Sequence, residues 1–146
     1  MRWRGAGATD VVDPRADGDT VKRIRSLSDG GVDFAFEAVG SPALINAGVI
    51  ATVPGGAVVL VGAHDGTARL GDVAAGQLVV QEKRLLGCMH GSSLSASDIP
   101  KPISFWRSGQ LNLEMMITAR RGLDGVNQGL DDIRAGLGVR TVIELN

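Results

Sequence analysis

The chain has 146 residues, 44% apolar and 21% charged, the balance of a globular protein with enough apolar surface for a core. A formal net charge of −1 gives no field for gathering phosphates, which argues against nucleic acid as a partner. No apolar run approaches the ~20 residues a membrane helix needs, and no apolar signal core follows the basic start Met1-Arg2-Trp3-Arg4. Cys88 is the only cysteine, so no internal disulfide can form and a reducing, cytoplasmic setting is expected.

Taken in order, residues 9–12 (T-D-V-V) are a short extended segment closed by Asp13-Pro14, because proline disfavours helix at the residue before it. Asp19 is placed to cap a helix with Val21, Ile24 and Leu27 on one face, ended by Gly30-Gly31. Residues 32–39 (V-D-F-A-F-E-A-V) read as a strand. Ser41-Pro42 opens a helix predicted to reach about Val53, where Pro54-Gly55-Gly56 breaks it. Residues 57–61 (A-V-V-L-V) form a continuous apolar run suited to a strand covered on both faces. Strand, helix and buried strand in succession make a βαβ unit, so the two strands should be parallel.

Beyond this unit, residues 64–71 read as a glycine-rich loop, 73–82 as a short helix and 84–89 as a further strand. Ser97 is expected to cap a helix carrying Ile99, Ile103 and Trp106. A strand at 114–120, a helix at 124–135 and a strand at 139–145 complete the chain. Strands and helices alternate almost throughout, which defines an α/β fold.

Metal ligands are scarce. Cys88 and His90 are one close pair and His64 is the other histidine, whereas a structural or catalytic zinc takes at least three protein ligands. No metal site is expected from this chain. In an open parallel sheet, ligands bind beyond the carboxyl ends of the strands. Those ends are Ala38-Val39-Gly40, Val61-Gly62-Ala63 and Cys88-Met89-His90. Their small residues either admit a flat ligand close to the backbone or serve only the turns.

Five segments then stand in one order: G-A-T-D-V-V-D-P (7–14), G-V-D-F-A-F-E-A-V-G (31–40), P-G-G-A-V-V-L-V-G (54–62), Q-E-K-R-L-L-G (81–87) and V-R-T-V-I (139–143). Together they resemble the coenzyme-binding domain and C-terminal return of zinc-containing medium-chain, NAD-dependent alcohol dehydrogenases. The resemblance implies an incomplete Rossmann-type sheet in residues 1–112 and a strand–helix–strand return segment of the catalytic domain in 113–146. It implies that Ala38, Val39 and Gly40 line the adenosine side of NAD, and that Val61, Gly62 and Ala63 pack on the nicotinamide. Cys88 and His90 would complete the carboxamide contact through their backbone. Arg140 would reach the pyrophosphate, which guanidinium can grip with two charge-assisted hydrogen bonds.

The same resemblance exposes what the chain lacks. Gly5-Ala6-Gly7 is no phosphate-binding turn, since no strand precedes it and Asp10 stands where a third glycine would. The family's zinc ligands and catalytic residues have no counterpart here. The chain therefore reads as a truncated zinc-type alcohol dehydrogenase, inactive alone, with weak or absent NAD affinity and no zinc of its own. Gly48, Gly125 and Gly129 fall inside predicted helices, where each costs about 1 kcal/mol, as a decaying frame would tolerate. Two alternatives stand beside this reading: a non-catalytic nucleotide-binding or oligomerisation module, and a fragment of a zinc-free, quinone-reductase-like relative.

The dinucleotide fold orders its strands 3-2-1-4-5-6. This chain carries equivalents of strands 3, 4, 5 and 6 (9–12, 32–39, 57–61 and 84–89) and lacks the central pair. Residues 9–12 are accordingly expected either to move across and pair beside 32–39, the favoured outcome because it satisfies backbone groups otherwise orphaned, or to detach and leave only the other three strands joined. Without such cover Phe34 and Phe36 would be bare. The strand 84–89 offers a second edge, through which a homodimer or a full-length relative is the expected partner.

Overall fold

The computed structural model describes residues 2–62, 66–67 and 69–145. Its elements in chain order are α1 (Arg2–Gly5), α2 (Thr20–Leu27), β1 (Val32–Glu37), α3 (Pro42–Ala51), β2 (Thr52–Leu60), α4 (Ala75–Val80), β3 (Arg84–Gly87), α5 (Ser95–Asp98), α6 (Pro100–Arg107), β4 (Ile117–Arg121), α7 (Val126–Arg134) and β5 (Arg140–Ile143). They fall into two units, one of Ala8–Ser93 and one of Met1–Gly7 with Leu94–Asn146. The sequence boundary at 112/113 follows the resemblance, whereas this division follows compactness.

In the first unit β1, β2 and β3 form a parallel sheet in that order, with β2 central. This is the α/β fold read from the sequence. Asp19 caps α2 as expected, its carboxylate accepting from the Lys22 N–H at 3.0 Å. Pro42 occupies the first turn of α3, where its missing N–H costs nothing. Ile45 and Val49, one turn apart on α3, are buried over the sheet with Ala51, Ala57 and Val58. Gly48 lets α3 approach closely, because a Cβ there would stand 3.1 Å from the Val58 side chain. Gly129 of α7 faces Thr141 in the same way, at 3.4 Å. Gly125 precedes α7 as its cap. Gly48 and Gly129 therefore serve close packing, which corrects their reading as decay.

Four other expectations need correction. First, residues 9–12 form no strand and do not pair with β1. Thr9, Asp10 and Val12 instead line a small hollow with Ile24, Leu27, Ser28 and Val32. The chain then turns at Asp13, whose carbonyl accepts from the Ala16 and Asp17 N–H groups. Residues 9–12 thus lie against the end of α2 rather than along β1. Second, α3 stops at Ala51 rather than Val53. The Thr52 hydroxyl donates to the Val49 carbonyl at 3.0 Å and the Lys83 ammonium to the same oxygen at 2.6 Å, capping the helix end. Third, Pro54-Gly55-Gly56 is an excursion within β2. Val32 pairs with Thr52 and Phe34 already with Ala57, so the intervening residues bow out of register. Fourth, Ser97 is no N-cap. Leu94 holds that position for α5, and Asp98 reaches back to accept from the Leu94 N–H at 3.0 Å.

Beside β1, as expected, Phe34 and Phe36 are 58% and 68% exposed. In the second unit β4 and β5 pair in parallel, and α7 lies between them in sequence. Arg121 and Asp132 form an ion pair at 2.5 Å, and Arg120 contacts Glu114 at 2.9 Å and Glu144 at 3.3 Å.

Candidate functional site

Glu37, the last residue of β1, organises the carboxyl end of the three-stranded sheet. Its backbone carbonyl accepts from the Val61 and Gly62 N–H groups, both at 2.8 Å, and so ties the ends of β1 and β2. Its side chain turns back on the next three residues. One carboxylate oxygen accepts from the Val39, Gly40 and Ser41 N–H groups at 2.9, 2.8 and 3.2 Å. Glu37 is also buried, so little water competes for it. The result is a fixed turn, with Gly40 in left-handed backbone (φ 88°).

Gly62 packs directly on that turn. A Cβ at Gly62 would overlap the Gly40 backbone and stand 2.8 Å from Glu37 Oε2. Its missing side chain thus allows this close contact between the two strand ends. Val39 and Val61 flank the pinned turn and are 73% and 45% exposed. From β3, Cys88 donates its N–H to the Leu60 carbonyl at 3.0 Å, and its side chain is half-buried. His90, Gly91 and Ser92 follow in left-handed backbone as a single tight turn. Ala38 and Val39 also line an apolar groove of about 440 Å³ with Phe34, Phe36, Leu44 and Ile24.

The structure therefore gathers Ala38, Val39, Gly40, Val61, Gly62 and Cys88 at one end of one sheet, with His90 in the adjoining turn. Ala63 and His64 lie outside the described residues. Arg140 belongs to the other unit, where it begins β5 and is exposed. Sequence reasoning missed the role of Glu37. Its one signal was an acidic residue in an otherwise apolar strand, just before a small-residue turn.

Among the described residues, no group of three His, Cys, Asp or Glu side chains stands where it could hold a metal ion. Those described residues do not fit a zinc site. Among the same residues, no helix is long and apolar enough to cross a membrane.

A parallel α/β sheet with its strand ends pinned in this way defines a Rossmann-like protein. The chain belongs to the zinc-binding dehydrogenase family, whose sequence profile matches residues 3–107. It is 30% identical over 146 residues to alcohol dehydrogenase class-2 isozyme 2 of Oryctolagus cuniculus, covering 96% of this chain and 37% of that protein. It superimposes on benzyl alcohol dehydrogenase from Acinetobacter calcoaceticus with a TM-score of 0.91 and 28% identity, covering 98% of this chain and 39% of that one. A zinc-binding dehydrogenase from Sinorhizobium meliloti 1021, bound to NADP, matches with a TM-score of 0.78 and 25% identity, over 97% and 40% of the two chains. The chain corresponds to the C-terminal part of these oxidoreductases and spans well under half their length. The family uses a nicotinamide dinucleotide and zinc.

Proposed function

We propose that this chain supplies part of the coenzyme wall of an NAD-linked alcohol–aldehyde oxidoreductase and is inactive alone. The observation carrying this reading is the pinned strand end. Glu37 holds the Val39–Ser41 turn against Gly62, leaving Val39 and Val61 exposed beside rigid backbone. A rigid apolar ledge with backbone groups at its rim suits the flat rings of a dinucleotide. Ala38, Val39 and Gly40 would hold the adenosine side, and Val61, Gly62 and Ala63 the nicotinamide. The backbone at Cys88 and His90 would meet the carboxamide. When bound, the coenzyme supplies the hydride acceptor. Arg140 would add a charge-assisted contact to the pyrophosphate.

Titrating NADH into the chain and into Arg140→Ala tests the reading. Removing a charged hydrogen-bond partner is worth roughly 1.5–3 kcal/mol, or about ten- to a hundredfold in affinity. Any affinity should be weak, and equal, measurable affinities would remove Arg140 from the site. The purified chain should form no NADH from alcohols and hold no stoichiometric zinc. Turnover that survives repurification, or one zinc per chain, would refute the inactive reading. Self-association is assigned to the free edge of β3. Leu85→Pro would delete an outward-facing donor on that edge and should dissociate any assembly seen by sedimentation.

A further inference from the structure

We infer that Thr118 is a positioning residue for Arg140, an inference that rests on the reading of Arg140 as a phosphate contact. Three observations converge on it. Ile117 pairs with Arg140 and Ala119 with Thr141, so Thr118 is the extra residue of a bulge opposite Arg140. Bulges bend a strand locally and re-aim the side chains next to them.

The Thr118 hydroxyl closes on the residue across the bulge. It accepts from the Val139 N–H at 3.0 Å and the Arg140 N–H at 3.2 Å, and donates to the Arg140 carbonyl at 3.1 Å. A hydroxyl has one proton to give and two lone pairs to fill, so these three bonds use its whole capacity. Both backbone polar groups of Arg140 thus meet one side chain. Gly138 provides the room for this: it has φ 80°, and a Cβ there would overlap the Thr118 hydroxyl.

The Arg140 side chain, by contrast, is exposed and makes no ion pair with a described residue. A long, free guanidinium aims well only if its own backbone is fixed. Thr118 supplies that fixing from the neighbouring strand, without touching the ligand itself.

The test compares Thr118→Val, which keeps the branched shape and loses the hydroxyl, with Thr118→Ser, which keeps the hydroxyl. NADH is the probe, added to the full chain at low and at raised salt, with Arg140→Ala as reference. Thr118→Val should weaken NADH binding roughly tenfold, the loss expected for one hydrogen-bonding group. It should also flatten the salt dependence of binding towards that of Arg140→Ala, whereas Thr118→Ser should restore both. That flattening is the readout a merely structural role would not move, because salt screens the guanidinium–phosphate attraction. If Arg140→Ala weakens binding while Thr118→Val keeps full affinity and salt dependence, the inference about Thr118 is overturned and the reading of Arg140 stands. If Arg140→Ala binds as the unaltered chain does, or if the chain binds no NADH, the reading of Arg140 fails and this inference fails with it.

Discussion

The segments β1–α3–β2 and β4–α7–β5 share one topology, a strand, a helix and a parallel strand, yet different forces hold them. In the first, Ile45, Val49, Ala51, Ala57 and Val58 are buried between helix and sheet. In the second unit Gly129 alone is buried among the described residues 94–145, and on α7 Leu130 and Ile133 remain exposed. Its cross-links are charged instead: Arg121 with Asp132, and Arg120 with Glu114 and Glu144. The difference teaches that a βαβ connection does not dictate its own glue. Burial works in plain water and at any ionic strength, whereas ion pairs this accessible weaken with salt and with acid.

Substitutions should break or sharpen that contrast. The largest effect is expected for Ile45→Ala, which leaves a cavity in the first unit and should cost about 2–5 kcal/mol in urea unfolding. Leu130→Ala in the second unit should cost less than half as much, since Leu130 is already half in water. Equal costs would erase the contrast. Next comes Glu37→Ala, which strips three N–H groups of their shared acceptor and should cost about 1–3 kcal/mol. The Val39, Gly40 and Ser41 amides should lose exchange protection together, and unchanged protection there would detach Glu37 from the turn.

A smaller effect is expected from acid. The Gln128 amide and then the Arg121 guanidinium hold the Asp132 carboxyl below its ordinary 3.8. A carboxyl lowered by folding contributes stability that is complete above its ordinary value and is lost as pH falls through the folded one. Asp132→Asn should therefore flatten the stability profile below about pH 4, while a profile identical to that of the unaltered chain would show that the pair contributes nothing. The smallest effect is expected at Lys83. Burial, and then repulsion from Arg25, pushes its ammonium below the ordinary 10.5. Because a depressed base opposes folding while charged, stability should rise as pH climbs through the folded value towards 10.5. Lys83→Met should abolish that rise, and an unchanged alkaline slope would assign it elsewhere.

What could be read in the sequence was what local chemistry decides. Asp19 caps α2 through an N–H three residues on, and the apolar run 57–61 announces a central strand wherever it pairs. The end of α3 was illegible because Lys83, which caps it, lies 34 residues away. Residues 9–12 have strand composition, but pairing is a property of two segments, and the turn at Asp13 leads them elsewhere. At the candidate site the strand ends were readable from the small residues that follow each strand. The carboxylate of Glu37 was not, since its partners are backbone N–H groups, which every residue type but proline carries.

The helical turn α1 is grouped with residues 94–146 although residues 8–93 separate them in the chain, and the Gly5 backbone lies against Met115. This has a consequence for the order of folding. During synthesis α1 leaves the ribosome before the first unit, while the partners it packs with leave after it. Each doubling of a closing loop adds only about 0.6 kcal/mol, so the long detour costs little at equilibrium. Its cost is in time: the second unit cannot complete itself until residues 94–145 are made, whereas β1, α3 and β2 can assemble as soon as they emerge.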